Sequence, residues 1–527
     1  MPEAKQNGSS ILQHTTIAGR ESWFCADMSM AWALAASAVL LQMAVGGRYG
    51  YFRDELYYLA LSKHLDWGYV DLAPLAPLVL RVSRFLFGDS LHAIRFLPAL
   101  AQAAEIVVTG LIVQELGGKR FAVLVACLSV LVAPVILANA NRFSMNPFEP
   151  LFWMGCVYFL LLAMNRERPE FLLGCGVLLG LGLVNKHSTT FFLVSLLIGM
   201  LATRQRHLFR SKWLWITAII VVVISLPNLI WQCQHGFPTW VDLTNVKKTH
   251  KNVELSPLPF MVQQIMMLLP VSVLVWLGGV GFFLMHPEGK RYRFLGVTYL
   301  AFLAIMMALH GKDYYLAPIY PMLFAGGAVW WEKFAESRRL RSIKVALTAI
   351  LIVVGATVAP IVLPILPADR VAPYMETLGI KIPRTETGMR SSLPQYFSDE
   401  FGWEEMVAQV ADVYNSLPPP VRAKTGILAG NYGSAGAIDF FGPRYGLPKS
   451  ISAHQNYYYW GVGHYNGESL ILLNWRLEGA QFWCQQVEKG PVIFHPYSMG
   501  WEHYTVLICH GLKEPLSQAW PQLKIWN

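Results

Sequence analysis

Long apolar runs separated by short charged links fill residues 29–366. Read as helices, they predict spans at 29–47, 96–114, 121–138, 150–164, 171–184, 188–202, 213–231, 260–285, 294–309, 315–331 and 343–366, about eleven in all. Several are short of the ~20 residues that a ~30 Å hydrocarbon layer requires, and 171–184 with 188–202 also reads as one broken hairpin. A polar 28-residue leader precedes the first run. A secretory signal starts nearer the N-terminus and ends at a small-residue cleavage site, so this run reads as an uncleaved helix.

Two links are too long for turns. Residues 48–95 predict two helices lying at the membrane interface. In the second, Leu78, Val82, Phe85 and Leu86 share one face and Arg81 and Arg84 lie on another. Residues 232–259, with Trp240, Lys247, Lys248, His250 and Lys251, form a basic loop suited to covering a ligand. After Pro360, Pro364 and Pro367 the pattern changes to short strand-like runs at 425–429, 470–473, 492–495 and 504–508, with a helix over 403–417. The expected architecture is an α-helical membrane bundle (residues 1–366) carrying a soluble C-terminal α/β domain (367–527). No internal repeat is evident, which argues against an inverted-repeat transporter.

Composition agrees: 54% of residues are hydrophobic and 14% charged, against about 25% charged in soluble domains. The net charge of +9 is unevenly shared, because residues 367–527 hold 12 Lys+Arg and 14 Asp+Glu. The basic excess therefore lies in the membrane part, where it reads as topology and lipid contact rather than nucleic-acid binding. With the N-terminus cytoplasmic, five short inner loops carry 16 positive residues, while three short outer loops carry only Arg142, Lys186 and Lys312. Eleven spans then put the C-terminal domain outside the inner (plasma) membrane, on the side of Asp54. Among the seven cysteines there is no metal spacing; Cys484 and Cys509, in the tail, are open to either a disulfide or two free thiols.

Chemistry is suggested first by Tyr51-Phe52-Arg53-Asp54-Glu55, directly after the first span. Adjacent acids at the mouth of a membrane helix are costly near lipid; they serve either as catalytic groups or as solvated partners of Arg53. On a helix they point about 100° apart, so only one faces a given pocket. A carboxylate there suits a general base that takes a proton from an attacking hydroxyl. The cations Arg81, Arg84, Arg142, Lys186 and Lys312 are candidates for holding a phosphate, with lipid-headgroup contact as the plainer role of each. Glu105, mid-span with Gln102 one turn away, reads as a structural partner for a neighbouring helix. His235, His250 and His310 lack metal spacing, so no metal is required; a divalent cation beside Asp54 or Glu149 is compatible with the residues. In the tail, Asn431 to Gly436 reads as a tight turn opening a helix. His454, Tyr457, Tyr458 and Trp460 offer either sugar-stacking faces or core packing.

The acid pair, with Leu65 to Asp71, Phe87-Gly88-Asp89, Ile94 to Pro98, Ser144-Met145-Asn146, Phe152-Trp153, Gly182-Leu183 with Lys186, and Lys312-Asp313-Tyr314-Tyr315, resembles the protein O-mannosyltransferase-like membrane glycosyltransferases, which include the aminoarabinose transferases acting on lipid A. The resemblance covers the membrane part and implies the C-type glycosyltransferase fold. It also implies hexosyl or pentosyl transfer from a polyprenyl-phosphate donor to a lipid, glycan or protein hydroxyl at the outer face, with inversion. Asp54 falls on the family's catalytic acid, with Glu55 as its support. Asn146, Glu149, Asp313 and Tyr314 would line the substrate pocket. The family's frequent Lys or His before a Pro-Pro pair is missing, since the corresponding run reads Asp71 to Pro77 without a cation. Two rival readings remain at this level: a lipid or polysaccharide transporter using the same cavity, and a membrane-anchored carbohydrate-binding protein working through its tail.

Overall fold

The computed structural model describes residues 8–382, 386–387 and 391–527, with side chains from Asp27 onward. The first helix runs over Gly8–Val45, so most of the expected polar leader is helical; residues 1–7 of that leader lie outside the described residues. Each expected span holds a helix, but length and composition do not support eleven crossings. Among the described residues, five helices are long and apolar enough, or seven when two bent pairs each count as one span. The bends follow from proline. Arg120–Val132 and Pro134–Ala140 meet at 62°, and Pro257–Met267 meets Pro270–Leu284 at 102°. Glu149–Asn165 has 17 residues and Thr189–Leu201 has 13; at ~1.5 Å per residue both are shorter than a ~30 Å layer. The result is a multi-pass membrane bundle with several part-depth helices.

The amphipathic helix expected in the first long link is Leu75–Phe87. Its Leu78, Val82, Phe85 and Leu86 are all exposed, while Ala76, Leu80 and Ser83 are buried. An uncovered apolar face beside a membrane bundle is the arrangement of a helix lying in the interface.

The tail forms a five-stranded sheet in the order β2-β1-β3-β5-β4. The strands are β1 (Thr425–Ala429), β2 (Ser450–Ile451), β3 (Ser469–Leu473), β4 (Cys484–Ile493) and β5 (Tyr504–Leu512). β2, β1 and β3 are parallel, whereas β5 runs antiparallel to β3 and β4. The two-residue β2 had no sequence signal, and β4 starts eight residues before its apolar end at Val492-Ile493 because most of its side chains are exposed. Cys484 and Cys509 are joined as a disulfide.

Period-two alternation gives the sheet two faces. Leu428, Leu470 and Leu472 face Trp520 and Cys509 in one core. Ile427, Ile471 and Leu473 face the helices Trp403–Ser416 and Tyr432–Phe441 in another, and that second core continues without a break into Leu56, Tyr57 and Leu59 of the Arg53–Leu61 helix. Every residue of that helix from Glu55 to Leu61 is buried. The acid-bearing helix is thus packed between bundle and tail. Gly436 makes this possible: a Cβ there would stand 2.7 Å from the Leu56 carbonyl oxygen. The Asn431–Gly436 run is therefore a helix start, capped by the Asn431 side chain accepting from Ser434 N–H at 2.8 Å, with glycine at the close approach.

Candidate active site

Asp54 and Glu55 have opposite fates, as their angular separation requires. Glu55 is fully buried and its lone pairs are all engaged. Arg95 donates to both of its oxygens, at 2.9 and 2.8 Å, and the backbone N–H groups of Phe52 and Phe143 add bonds of 2.9 and 2.8 Å. Glu55 thus caps the start of its own helix at the Phe52 N–H and bolts that helix to the Leu91–Glu115 span, with all four of its acceptor positions engaged. Arg95 continues to Glu400, which also accepts from Arg142 at 2.7 Å. The buried chain Glu55–Arg95–Glu400–Arg142 ties tail to bundle. Arg142 is buried in this lock, with Phe52, Tyr396 and Phe397 packed around its guanidinium.

Asp54 points the other way, with its side chain 37% exposed. Its Oδ1 accepts from the Tyr432 hydroxyl at 2.8 Å and lies 3.6 Å from Arg53 Nε. Arg53 lies over the rings of Tyr432 and Trp501 and approaches Glu386 at 3.9 Å. Behind Asp54, Tyr57, Tyr432 and His454 form a stack, and Tyr57 donates to Asp71 at 3.1 Å. Burial, with Asp242 nearby, pushes the Asp71 carboxyl up to about 8. Burial likewise lifts Asp399 to about 7, against the pull of Arg53. Glu386 behaves differently: burial raises it, but Arg53, Lys251 and Lys312 together outweigh that and hold it below the ordinary range. Burial pulls the Lys251 ammonium down, Glu386 opposes this, and Arg53 and Lys312 repel it.

The remaining cations divide by pairing. Lys186 donates to Glu149 at 2.8 Å and Asn146 at 2.9 Å beneath the Tyr314 and Tyr315 rings, and Ser188 donates to the same Glu149. These expected pocket residues do come together, but Lys186 is already neutralised. Lys312 sits half-buried with its ammonium 6.0 Å from the Tyr314 ring centre, and no carboxylate lies within 4 Å of it among the described residues. Asp313 bonds the Tyr314 N–H at 2.8 Å, and burial pushes its carboxyl up. Arg84 is held by Asp89, Ser62 and the Leu59 carbonyl, a local clamp on the interfacial helix. Arg81 is exposed on that helix. Glu105 lines a small cavity with Asn146, Glu149 and Tyr314, and its Oε1 has no partner among the described residues; the helix-to-helix bond there is made by Gln42 to Gln102 instead.

The tail aromatics are mostly structural. Tyr457 is buried and donates to Asp439, Trp460 stacks on His64, and Tyr458 stacks on Trp520. His454 Nδ1 accepts from the Tyr432 N–H at 3.1 Å, and burial drives its imidazole down to about 3, so it is neutral and orients Tyr432. The sequence reading missed Tyr432, Glu386 and Asp399 as neighbours of Asp54. Lys251 did carry a signal, as part of the basic loop over 232–259. That loop is pinned to the tail: Lys251 Nζ donates to the Asn527 carbonyl, and Gln455 donates to Asp242.

Residues 71–231 match the dolichyl-phosphate-mannose-protein mannosyltransferase family. Among solved structures, ArnT from Cupriavidus metallidurans bound to undecaprenyl phosphate superposes with a TM-score of 0.59 at 13% identity, covering 90% of this chain and 97% of that one. The apo state of the same enzyme gives 0.57 at 14% identity with the same coverage. No curated protein matches by sequence. The resemblance to the protein O-mannosyltransferase-like membrane glycosyltransferases therefore holds both in sequence, over residues 71–231, and in fold, over 90% of the chain.

Proposed function

We propose that this protein is a glycosyltransferase that moves a sugar from a polyprenyl-phosphate donor to a hydroxyl acceptor, with inversion, on the outer side of the plasma membrane. The bundle of residues 1–366 would hold the donor, and the tail of 367–527 would close the site from outside. Asp54 takes the acceptor proton, the acceptor oxygen bonds the anomeric carbon, and the bond from that carbon to the phosphate oxygen breaks. The lipid phosphate leaves as a stable anion, so one carboxylate suffices where a glycosidase needs two. The observation that carries this reading is the isolation of Asp54. It is a partly open carboxylate that, among the described residues, accepts from Tyr432 and lies by Arg53, whose neighbour Glu386 is in turn within the field of Lys251 and Lys312.

These two lysines supply the cation that the Asp71–Pro77 run lacks. Positive groups fixed beside a leaving phosphate stabilise charge as it develops. A structure similar in fold, that of ArnT from Cupriavidus metallidurans, was crystallised with undecaprenyl phosphate, which supports a polyprenyl carrier. Asn146, Glu149, Lys186 and Tyr314 form the wall under this site, and Glu55 and Arg142 act only by fixing the helix and the tail.

Purified protein incubated with radiolabelled polyprenyl-phosphate sugars and membrane acceptors tests the reading. Label should pass to an acceptor, and Asp54→Asn should abolish transfer while donor binding survives. Full transfer by that variant would remove Asp54 from the mechanism. Movement of donor lipid across the bilayer without any covalent product, over the whole donor panel, would establish the transporter instead.

A further inference from the structure

The sheet of the tail has a switch point between its parallel strands β1 and β3. After β1 the chain turns through the Tyr432–Phe441 helix to β2 on one side; after β3 it turns through the Leu477–Trp483 helix towards β4 on the other. Connections that diverge in this way leave a crevice at the carboxyl ends of the strands, the usual ligand position in open α/β sheets. Here the crevice exists. It has a volume of about 290 Å³, and Gly430, Trp475, Arg476, Trp483 and Lys524 are among its lining residues. That is close to the ~300 Å³ at which small-ligand sites begin.

The backbone is shaped for it. Gly430 N–H bonds the Leu473 carbonyl at 2.8 Å, and a Cβ on Gly430 would stand 2.9 Å from the Asn474 carbonyl oxygen. Asn474 adopts a left-handed conformation (φ 59°), held by bonds to Ser434, Glu502 and the Trp501 carbonyl. This turn delivers Trp475 and Arg476 to the crevice. Trp475 and Trp483 both line the crevice, and the buried Trp475 indole N–H has no acceptor among the described residues. Arg476 and Lys524 are exposed at the mouth, neither has a carboxylate within 4 Å among the described residues, and no acid lines the crevice. Lys524 lies over the Trp526 ring at 4.2 Å.

We infer that this crevice is a second binding site, separate from Asp54, for an acidic sugar residue carrying a carboxylate or phosphate. The indoles of Trp475 and Trp483 offer flat apolar faces to a pyranose ring, and Arg476 and Lys524 take the anion. The site does not depend on the transfer reaction. It is nonetheless connected to it in the chain, because two residues beyond Gly430 stands Tyr432, the hydrogen-bond donor to Asp54.

The test is equilibrium binding of defined trisaccharides to the full-length, detergent-purified protein, comparing a glucuronate-terminated probe and a glucose 6-phosphate-terminated probe with a glucose-terminated one. At least one acidic probe should bind tenfold or more tightly than the neutral probe. Arg476→Gln with Lys524→Gln should remove that preference, Trp475→Ala should weaken binding of every probe, and Asp54→Asn should change nothing. Preference for either acidic probe identifies the anion. Equal affinity for all three probes, no binding at millimolar concentration, or an unchanged preference in the Arg476/Lys524 variant would overturn the inference. Loss of binding in Asp54→Asn would place the sugar at the transfer site instead. Failure of transfer with intact binding would count against the proposed reaction and not against this site.

Discussion

The Tyr432 hydroxyl hydrogen-bonds Asp54 at 2.8 Å across 378 residues of sequence, so the tail supplies a direct partner to the candidate base. The bond stands on a stack of Tyr57, Tyr432 and His454, and the Tyr432 N–H is itself held by His454. The tail is therefore part of the site's construction. Tyr432→Phe keeps the stack and deletes the bond. A hydrogen bond to a charged group contributes ~1.5–3 kcal/mol, and we predict a fall in transfer rate of about tenfold or more with a normal melting temperature. Single-turnover kinetics on the purified variant measure it; wild-type rates would show that the bond has no role.

The Glu55–Arg95 pair predicts a different signature. Both side chains are buried, and Glu55→Gln leaves the Arg95 charge without its bidentate partner. Breaking a buried pair from one side costs about 3–5 kcal/mol. The variant should therefore lose thermal stability in detergent, and Arg95→Met added to it should restore part of the loss. Asp54→Asn, which disturbs a partly exposed group and keeps an acceptor for Tyr432, should leave the melting temperature close to wild type.

Lys312 and Lys186 separate along the same line. Lys186 neutralises Glu149, so Lys186→Met should act mainly on stability. Lys312 has no such partner, and Lys312→Gln should raise the donor concentration needed for half-maximal transfer about tenfold, roughly 1.4 kcal/mol, with little change in melting. A titration of both variants with the same polyprenyl-phosphate sugar decides between them.

Stability should also depend on pH in an unusual direction. Burial raises Asp71 to about 8 and Asp399 to about 7 in the folded protein, above the ordinary carboxylate value of 3.8. The folded state then binds protons more tightly than the unfolded chain. The stabilisation is complete below about pH 4 and is lost as pH rises through these folded-state values. Melting temperature should thus fall from pH 5 to pH 9, and Asp71→Asn, which still accepts the Tyr57 hydrogen bond, should flatten part of that slope. A wild-type melting curve that rises over this range would contradict it.

Much of this protein follows from local patterns. Apolar run length located a helix for each expected span, and periodicity marked the exposed apolar stripe of Leu78, Val82, Phe85 and Leu86. Strand-like runs located four of the five strands. Hydropathy and helix angle are properties of neighbouring residues, so they are legible without a fold; the 100° between Asp54 and Glu55 already required that one turn inward. How far each helix reaches was less legible, because a proline marks where a helix can break but not the angle, which is 62° at Pro134 and 102° before Pro270.

Which acid turned inward, and what met the other, was decided by docking. Glu55 is buried because Arg95 and Phe143 converge on it, and Arg142 is paired with Glu400, 258 residues away. Tyr432 meets Asp54 because the sheet packs its Ile427–Ile471 face onto the Arg53–Leu61 helix, and Glu386 meets Arg53 rather than Asp54. Charge pairing is fixed by distances of a few ångströms between segments far apart in the chain, and no local pattern records them. Local pattern marked the acid pair and the apolar runs around it; the tertiary structure buried Glu55 and left Asp54 partly open against Tyr432.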